Sequence, residues 1–184
     1  MKLSILLFLT VVVLTAQQPS FDKDGKLLKP ENFREWVYLS SGLGMTYDSD
    51  QSGNSFTNVF AEPTAYRAFM KTGKWPEGTM LAMEVRRGET KGSINKAGHF
   101  QGAYIATEVT VKDSKRFKED AWEYFAFSGN AKTAKGIGQT SGCNACHNKN
   151  AAVENTFVQF YPTLLDVARE KGTLNPAYLK AETH

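Results

Sequence analysis

Long apolar runs, histidine and cysteine are all scarce in this 184-residue chain, which has 3 His and 2 Cys. The longest apolar stretch, Leu3 to Leu14, is about a dozen residues, short of the roughly 20 needed to cross a bilayer. Neither sign of charge dominates. The net charge is +3, and basic residues alternate with acidic ones, as in Lys112-Asp113-Ser114-Lys115-Arg116, the pattern of a solvated surface rather than a nucleic-acid face. No internal repeat or low-complexity block is visible. With no second cysteine pair, a four-ligand cysteine zinc site is excluded.

What the chain does have is concentrated. Both cysteines fall in one string, Cys143-Asn144-Ala145-Cys146-His147. C-x-x-C-H is the attachment signature of a c-type haem. Each thiol adds across a porphyrin vinyl group, and the adjacent histidine supplies an axial nitrogen to the iron. A redox dithiol explains neither the histidine nor the missing β-α-β pattern around it. The expected cofactor is one covalent haem c, with Cys143 and Cys146 as attachment points and His147 as iron ligand.

The amino terminus agrees. Lys2, the apolar stretch and the small residues Thr15-Ala16 before Gln17 describe a secretory signal peptide over residues 1–16, cleaved near Ala16-Gln17. The expected location is the periplasm or another exported compartment, with no membrane anchor after processing. Residues 17–184 are expected to form one domain.

Local patterns predict the fold class. After Pro30, Phe33, Trp36 and Val37 recur at helical spacing through ENFREWVYL. Met45 to Gly53 reads as a loop and Phe56 to Ala61 as a strand. Pro63 opens a helix that Gly73 closes. Thr79–Arg86, His99–Val111 and Trp122–Phe127 read as further strands. A short helix follows at the cysteine motif, and another runs from Tyr161 to Lys171 with Gly172 past its end. Consecutive strands before a helical C-terminal part argue α+β: a mainly antiparallel sheet with flanking helices, and haem c held by the C-terminal CxxCH helix.

Other iron ligands are few. His184 ends the chain. His99 stands at a strand start, where a solvated edge histidine is the commoner finding. Met45, Met70, Met80 and Met83 carry thioethers that can ligate haem iron, but methionine on an apolar strand is usually core.

The segments REWVYL, VFAEPTAY, TGKWPEGT, VKDSKRF, CNACHNKN and FVQFYP occur in this order. Together they resemble the cytochrome P-460 family, which includes the β-sheet class of cytochromes c′ (cytochrome c′-beta). The resemblance runs from about Phe21 to Leu165. It implies an antiparallel β fold, a homodimer, and a high-spin five-coordinate iron with an open distal site. In the hydroxylamine-oxidising members a lysine is bonded to the porphyrin edge; here Met83 stands at that position, with Lys74 and Lys91 too far along the chain. Thr57 stands where those enzymes carry a distal arginine. The resemblance is therefore closest to the cytochrome c′-beta type without the cross-link.

On this reading the distal wall is mostly apolar, with Phe56, Phe60, Leu81, Met83, Phe125 and Phe157 as candidates to line it and Thr57 beside them. Such a wall favours neutral diatomics, nitric oxide first. The alternatives are an enzyme acting on hydroxylamine or peroxide, and an electron carrier with Met83 as sixth ligand and a redox partner protein. Acid–base equipment looks sparse: Glu84 and Arg86 are close in sequence, but Glu84 should point away from Met83, and Glu154 falls near the pocket rim.

Overall fold

The computed structural model describes residues 17–46, 53–138 and 140–182. The expected signal peptide and His184 lie outside the described residues, as does most of the loop after Met45. The fold is α+β, with a five-stranded antiparallel sheet, a two-stranded sheet and four helices. The strands are β1 (Leu27–Leu28), β2 (Val37–Leu43), β3 (Ser55–Ala61), β4 (Met80–Glu89), β5 (Phe100–Lys112), β6 (Trp122–Ser128) and β7 (Thr133–Ala134). The helices are α1 (Pro63–Thr72), α2 (Gly142–Asn150), α3 (Pro162–Lys171) and α4 (Pro176–Glu182). The large sheet runs β2-β3-β4-β5-β6 in sequence order; β1 pairs with β7. No helix among the described residues is long and apolar enough to cross a membrane.

One element departs from expectation. ENFREWVYL is not a helix: only Phe33–Glu35 form a 3-10 turn, and the chain becomes extended from Val37. Phe33 and Trp36 are three apart, a spacing that one tight turn satisfies as well as a helix does. From Val37 the β-branched and aromatic residues pair with β3, Val37 opposite Ala61 and Tyr38 opposite Phe60, and that pairing overrides the local period.

Local chemistry accounts for the ends of α1. Glu62 caps it, its carboxylate accepting from the amides of Thr64 and Ala65 at 2.8 Å each, and Pro63 occupies the first turn, where a missing N–H costs nothing. Gly73 ends it at φ 70°, a left-handed conformation that favours glycine.

Strand alternation divides the sheet into two faces. On one, Ala61, Leu81 and Trp122 are buried beneath Phe69 of α1, Trp75, and Leu164 and Ala168 of α3. On the other, Met80, Ala82, Val109, Val111, Phe125 and Phe127 pack with Leu27, Phe33, Trp36 and Phe117. The second face is closed. The first is closed at one end only, and α2 with the loop after it stands over that end.

Candidate functional site

The cysteine motif is helical because Ser141 caps it: its hydroxyl accepts from the Asn144 amide at 3.3 Å. Residues three and four apart share a helix side, so Cys143, Cys146 and His147 stand together. Both thiols are free, Cys143 exposed and Cys146 half-buried.

His147 is held on three sides. Its ring lies between Tyr124 of β6, at 4.4 Å between centroids, and Phe157, at 4.2 Å. Its Nδ1 is 2.8 Å from the carbonyl oxygen of Asn155. A carbonyl only accepts, so Nδ1 carries the proton and Nε2 keeps its lone pair for a metal. Burial lowers the pKa of the imidazole, against the opposing pull of the Asn155 carbonyl, and so favours the neutral form that a metal requires. The hydroxyl of Tyr124 also donates to Asn155 O, at 3.3 Å. Burial, and then the nearby Asp120 carboxylate, push its pKa far up, so it remains a donor.

The loop that offers this carbonyl is pinned from several directions. The Asn155 side chain donates to Asp120 at 3.0 Å and to Asn148 at 2.6 Å, and Asn148 in turn donates to Asn144 at 2.6 Å. Asn175, just ahead of α4, donates from Nδ2 to the carbonyls of Ala151 and Glu154 at 2.8 Å each. Its Oδ1 accepts from the Glu154 amide at 3.2 Å, and its own amide reaches Ala152 O at 2.7 Å. Glu154 adopts φ 49°, unusual for a residue with a side chain, and its carboxylate meets Lys112 Nζ at 2.7 Å. That ammonium also donates to Trp75 O at 2.8 Å.

Register places the rest of this face in rows across the strands. Ala61, Leu81, Thr110 and Tyr124 form the row beneath the helical layer. The next row is Val59, Met83, Glu108 and Ala126, and the one beyond it Thr57, Val85, Ala106 and Ser128. Successive rows are about 7 Å apart along the strands. Ala61, Leu81 and Tyr124 of the first row are buried, whereas no residue of these two rows is. They make the open side of the sheet, its cleft face, which adjoins Tyr124 and the His147 ring stacked on it.

Thr57 and Met83 therefore share the cleft face. Phe56 and Phe60, also expected to line a distal pocket, do not. They alternate onto the closed face, where Phe60 packs edge-on against Phe33 and Tyr38 at 5.8 Å. Phe125 is in the same closed core. Leu81 is on the cleft face but buried under the helical layer, and Phe157 stacks on His147 itself. Glu84 points away from Met83 as expected, bound by Arg34 and by Arg86 at 3.1 Å. His99 is exposed ahead of β5, at the end away from Thr110. Met80 is core and Met70 packs against the helical layer. Met45 lies over the cleft side of β2: a Cβ built on Gly42, the partner of Thr57, would run into its Sδ and meet Thr57 Oγ1 at 2.8 Å.

Two charged groups on this face escaped the sequence reading. Glu108 stands opposite Met83 and has no hydrogen-bond or ion-pair partner among the described residues. Its surface is open to the cleft, yet enough protein surrounds the carboxyl that lost hydration raises its pKa. Arg87, opposite Ser55, ends the face, exposed and equally unengaged. Counting by twos from Met83 reaches Val85 and Arg87, so Arg87 was within reach of alternation. Glu108 was not, because nothing in the sequence anchors the register of β5 against β4. The cleft is accordingly less apolar than expected.

The donor set fits a haem. Among the described residues no three His, Cys, Asp or Glu side chains gather as a metal site, so a single histidine suffices only for a metal that brings its other ligands. A porphyrin supplies four nitrogens, and the two free thiols stand on the side of α2 that carries the histidine. No curated protein matches the chain. Residues 30–158 match the family model described as Cytochrome P460.

Proposed function

The chain belongs to the cytochrome P460 family, and from that premise we propose that it is an exported mono-haem c-type cytochrome of the cytochrome c′-beta type that binds nitric oxide or a similar small ligand. Cys143 and Cys146 hold the porphyrin by thioethers, and His147 Nε2 ligates the iron. When bound, the haem supplies an iron with one open coordination position. The residues of the chain do the rest. Asn155 orients the imidazole and holds its proton on Nδ1, while burial keeps the ring neutral. Tyr124 and Phe157 clamp its ring and limit water on that side. Met83, Thr57 and Val59 floor the cleft, and Arg87, unengaged among the described residues, is a cation there to which porphyrin carboxylates can pair.

The observation that carries this reading is the state of His147: Nδ1 spoken for, Nε2 free, ring fixed between two aromatics. Met83 supports the absence of a lysyl cross-link, since alternation places it on the cleft face with no lysine beside it in its row. Export follows from the leader-like N-terminus, and a homodimer from the family resemblance. A redox partner protein that sets the oxidation state of the iron is expected as well.

Absorption spectra of the haem-loaded protein test the proposal. The expected result is a high-spin ferrous spectrum with an ordinary Soret band that shifts on addition of nitric oxide. A ferrous protein that binds neither nitric oxide nor carbon monoxide overturns it.

One observation favours a second reading, an enzyme acting on hydroxylamine or peroxide. Glu108 is a carboxyl of raised pKa on the cleft face with no hydrogen-bond or ion-pair partner among the described residues, the kind of group that can serve in proton transfer. A strongly red-shifted ferrous band, or turnover of either substrate that disappears in Glu108→Gln, would replace the first reading with this one.

A further inference from the structure

The carbonyl oxygen of Asn155 receives two donors, Nδ1–H of His147 at 2.8 Å and the hydroxyl of Tyr124 at 3.3 Å. An oxygen with two lone pairs can accept both, but both bonds draw on the same electron density. Each donor therefore weakens the acceptor that the other meets. Neither can easily leave. Tyr124 is buried at 6% exposure, so its hydroxyl has little water to turn to. The carbonyl cannot swing toward one donor either, because Asp120 and Asn148 hold the Asn155 side chain and Asn175 holds the carbonyls of Ala151 and Glu154.

We propose that Tyr124 is a positioning residue for the axial ligand: by sharing the Asn155 carbonyl with His147, its hydroxyl limits the imidazolate character of that histidine. The proposal rests on the haem reading above. A hydrogen bond from the far ring nitrogen raises the basicity of a ligating imidazole, and hydrogen bonding around the axial ligand is a principal lever on the iron. Tyr124 therefore acts through Asn155 and His147, on the side of the haem away from the ligand. With the competing donor removed, His147 bonds Asn155 more strongly, Nε2 becomes a stronger donor, and ferric iron is favoured over ferrous.

Tyr124→Phe tests this because it keeps the ring that stacks on His147 and removes only the hydroxyl. In the haem-loaded full chain, the iron–histidine stretch of the ferrous protein should move to higher frequency, and the midpoint potential should fall. Site-specific replacement of Tyr124 by 3-fluorotyrosine, whose more acidic hydroxyl donates more strongly, should move both the opposite way. If Tyr124→Phe does not fold, the fluorotyrosine protein decides alone. A stretch and a potential unchanged in the replacements overturn this proposal and leave the haem reading intact. A native haem-loaded protein with no iron–histidine band overturns the five-coordinate reading, and this proposal with it.

Discussion

Two glutamates on adjacent strands show how differently the faces of one sheet are used. Glu84 of β4 pairs across the ladder with Thr107, and Glu108, next to Thr107 on β5, pairs with Met83. One residue's step puts them on opposite faces. Glu84 is buried and bonded by Arg34 and Arg86, so although burial alone would raise its pKa, those two cations hold it below the usual carboxylate range. Glu108 has no cation beside it, and partial loss of hydration raises its pKa although its surface stays exposed. The closed face satisfies its charge and contributes stability. The open face leaves a charge unmet, and an unmet charge beside a cleft is the mark of a site under other demands.

The contrast can be broken at four places. The largest effect belongs to the cleft: in Cys143→Ser/Cys146→Ser the porphyrin should be wholly extractable by acid acetone, whereas in the native protein it should stay with the polypeptide. On the closed face, Phe127→Ala removes a ring that is 0% exposed and should cost about 3–5 kcal/mol in denaturant unfolding. Ligand binding at the cleft should be unchanged.

The third place is Glu84→Gln, which weakens two charge-assisted bonds and should cost about 1.5–3 kcal/mol at neutral pH. A carboxylate whose pKa is lower folded than unfolded stabilises above its unfolded pKa, and the benefit is lost as pH falls through the folded value. The difference between native and Glu84→Gln should thus shrink on acidification. Glu108 has the opposite sign. Its folded pKa lies above the unfolded one, so stability declines as pH rises from the unfolded value through the folded one. Glu108→Gln should remove that decline, stabilising the protein above it by an amount within about 0.5 kcal/mol, since solvent reaches the carboxyl. Thermal melts of both variants across pH 3 to roughly 8 check the two signs against each other.

The legible parts of this molecule were those written locally. Pro63 and Gly73 bound α1, Gly172 ends α3, and the C-x-x-C-H string forms a capped helix. Alternation alone placed Thr57 with Val59, and Met83 with Leu81 and Val85. The same alternation, carried one step further, puts Phe56 and Phe60 on the face opposite Thr57 and Met83. What stayed hidden depends on pairings between distant segments. ENFREWVYL becomes a strand because β3 lies beside it. Glu108 enters the cleft because of how β5 registers on β4. The carbonyl that fixes His147 belongs to a loop whose shape is set by Asn175, and a backbone oxygen leaves no trace in a motif.

Asn175 works as a staple between two stretches of chain. Its side chain ties down the carbonyls of Ala151 and Glu154, and its amide reaches Ala152 O, so the residue that leads into α4 braces the loop on both sides of the Asn155 oxygen. The rigidity of the His147 imidazole is thus set from some 28 residues further along the chain, and a change of packing at α4 has a direct mechanical route to that ring.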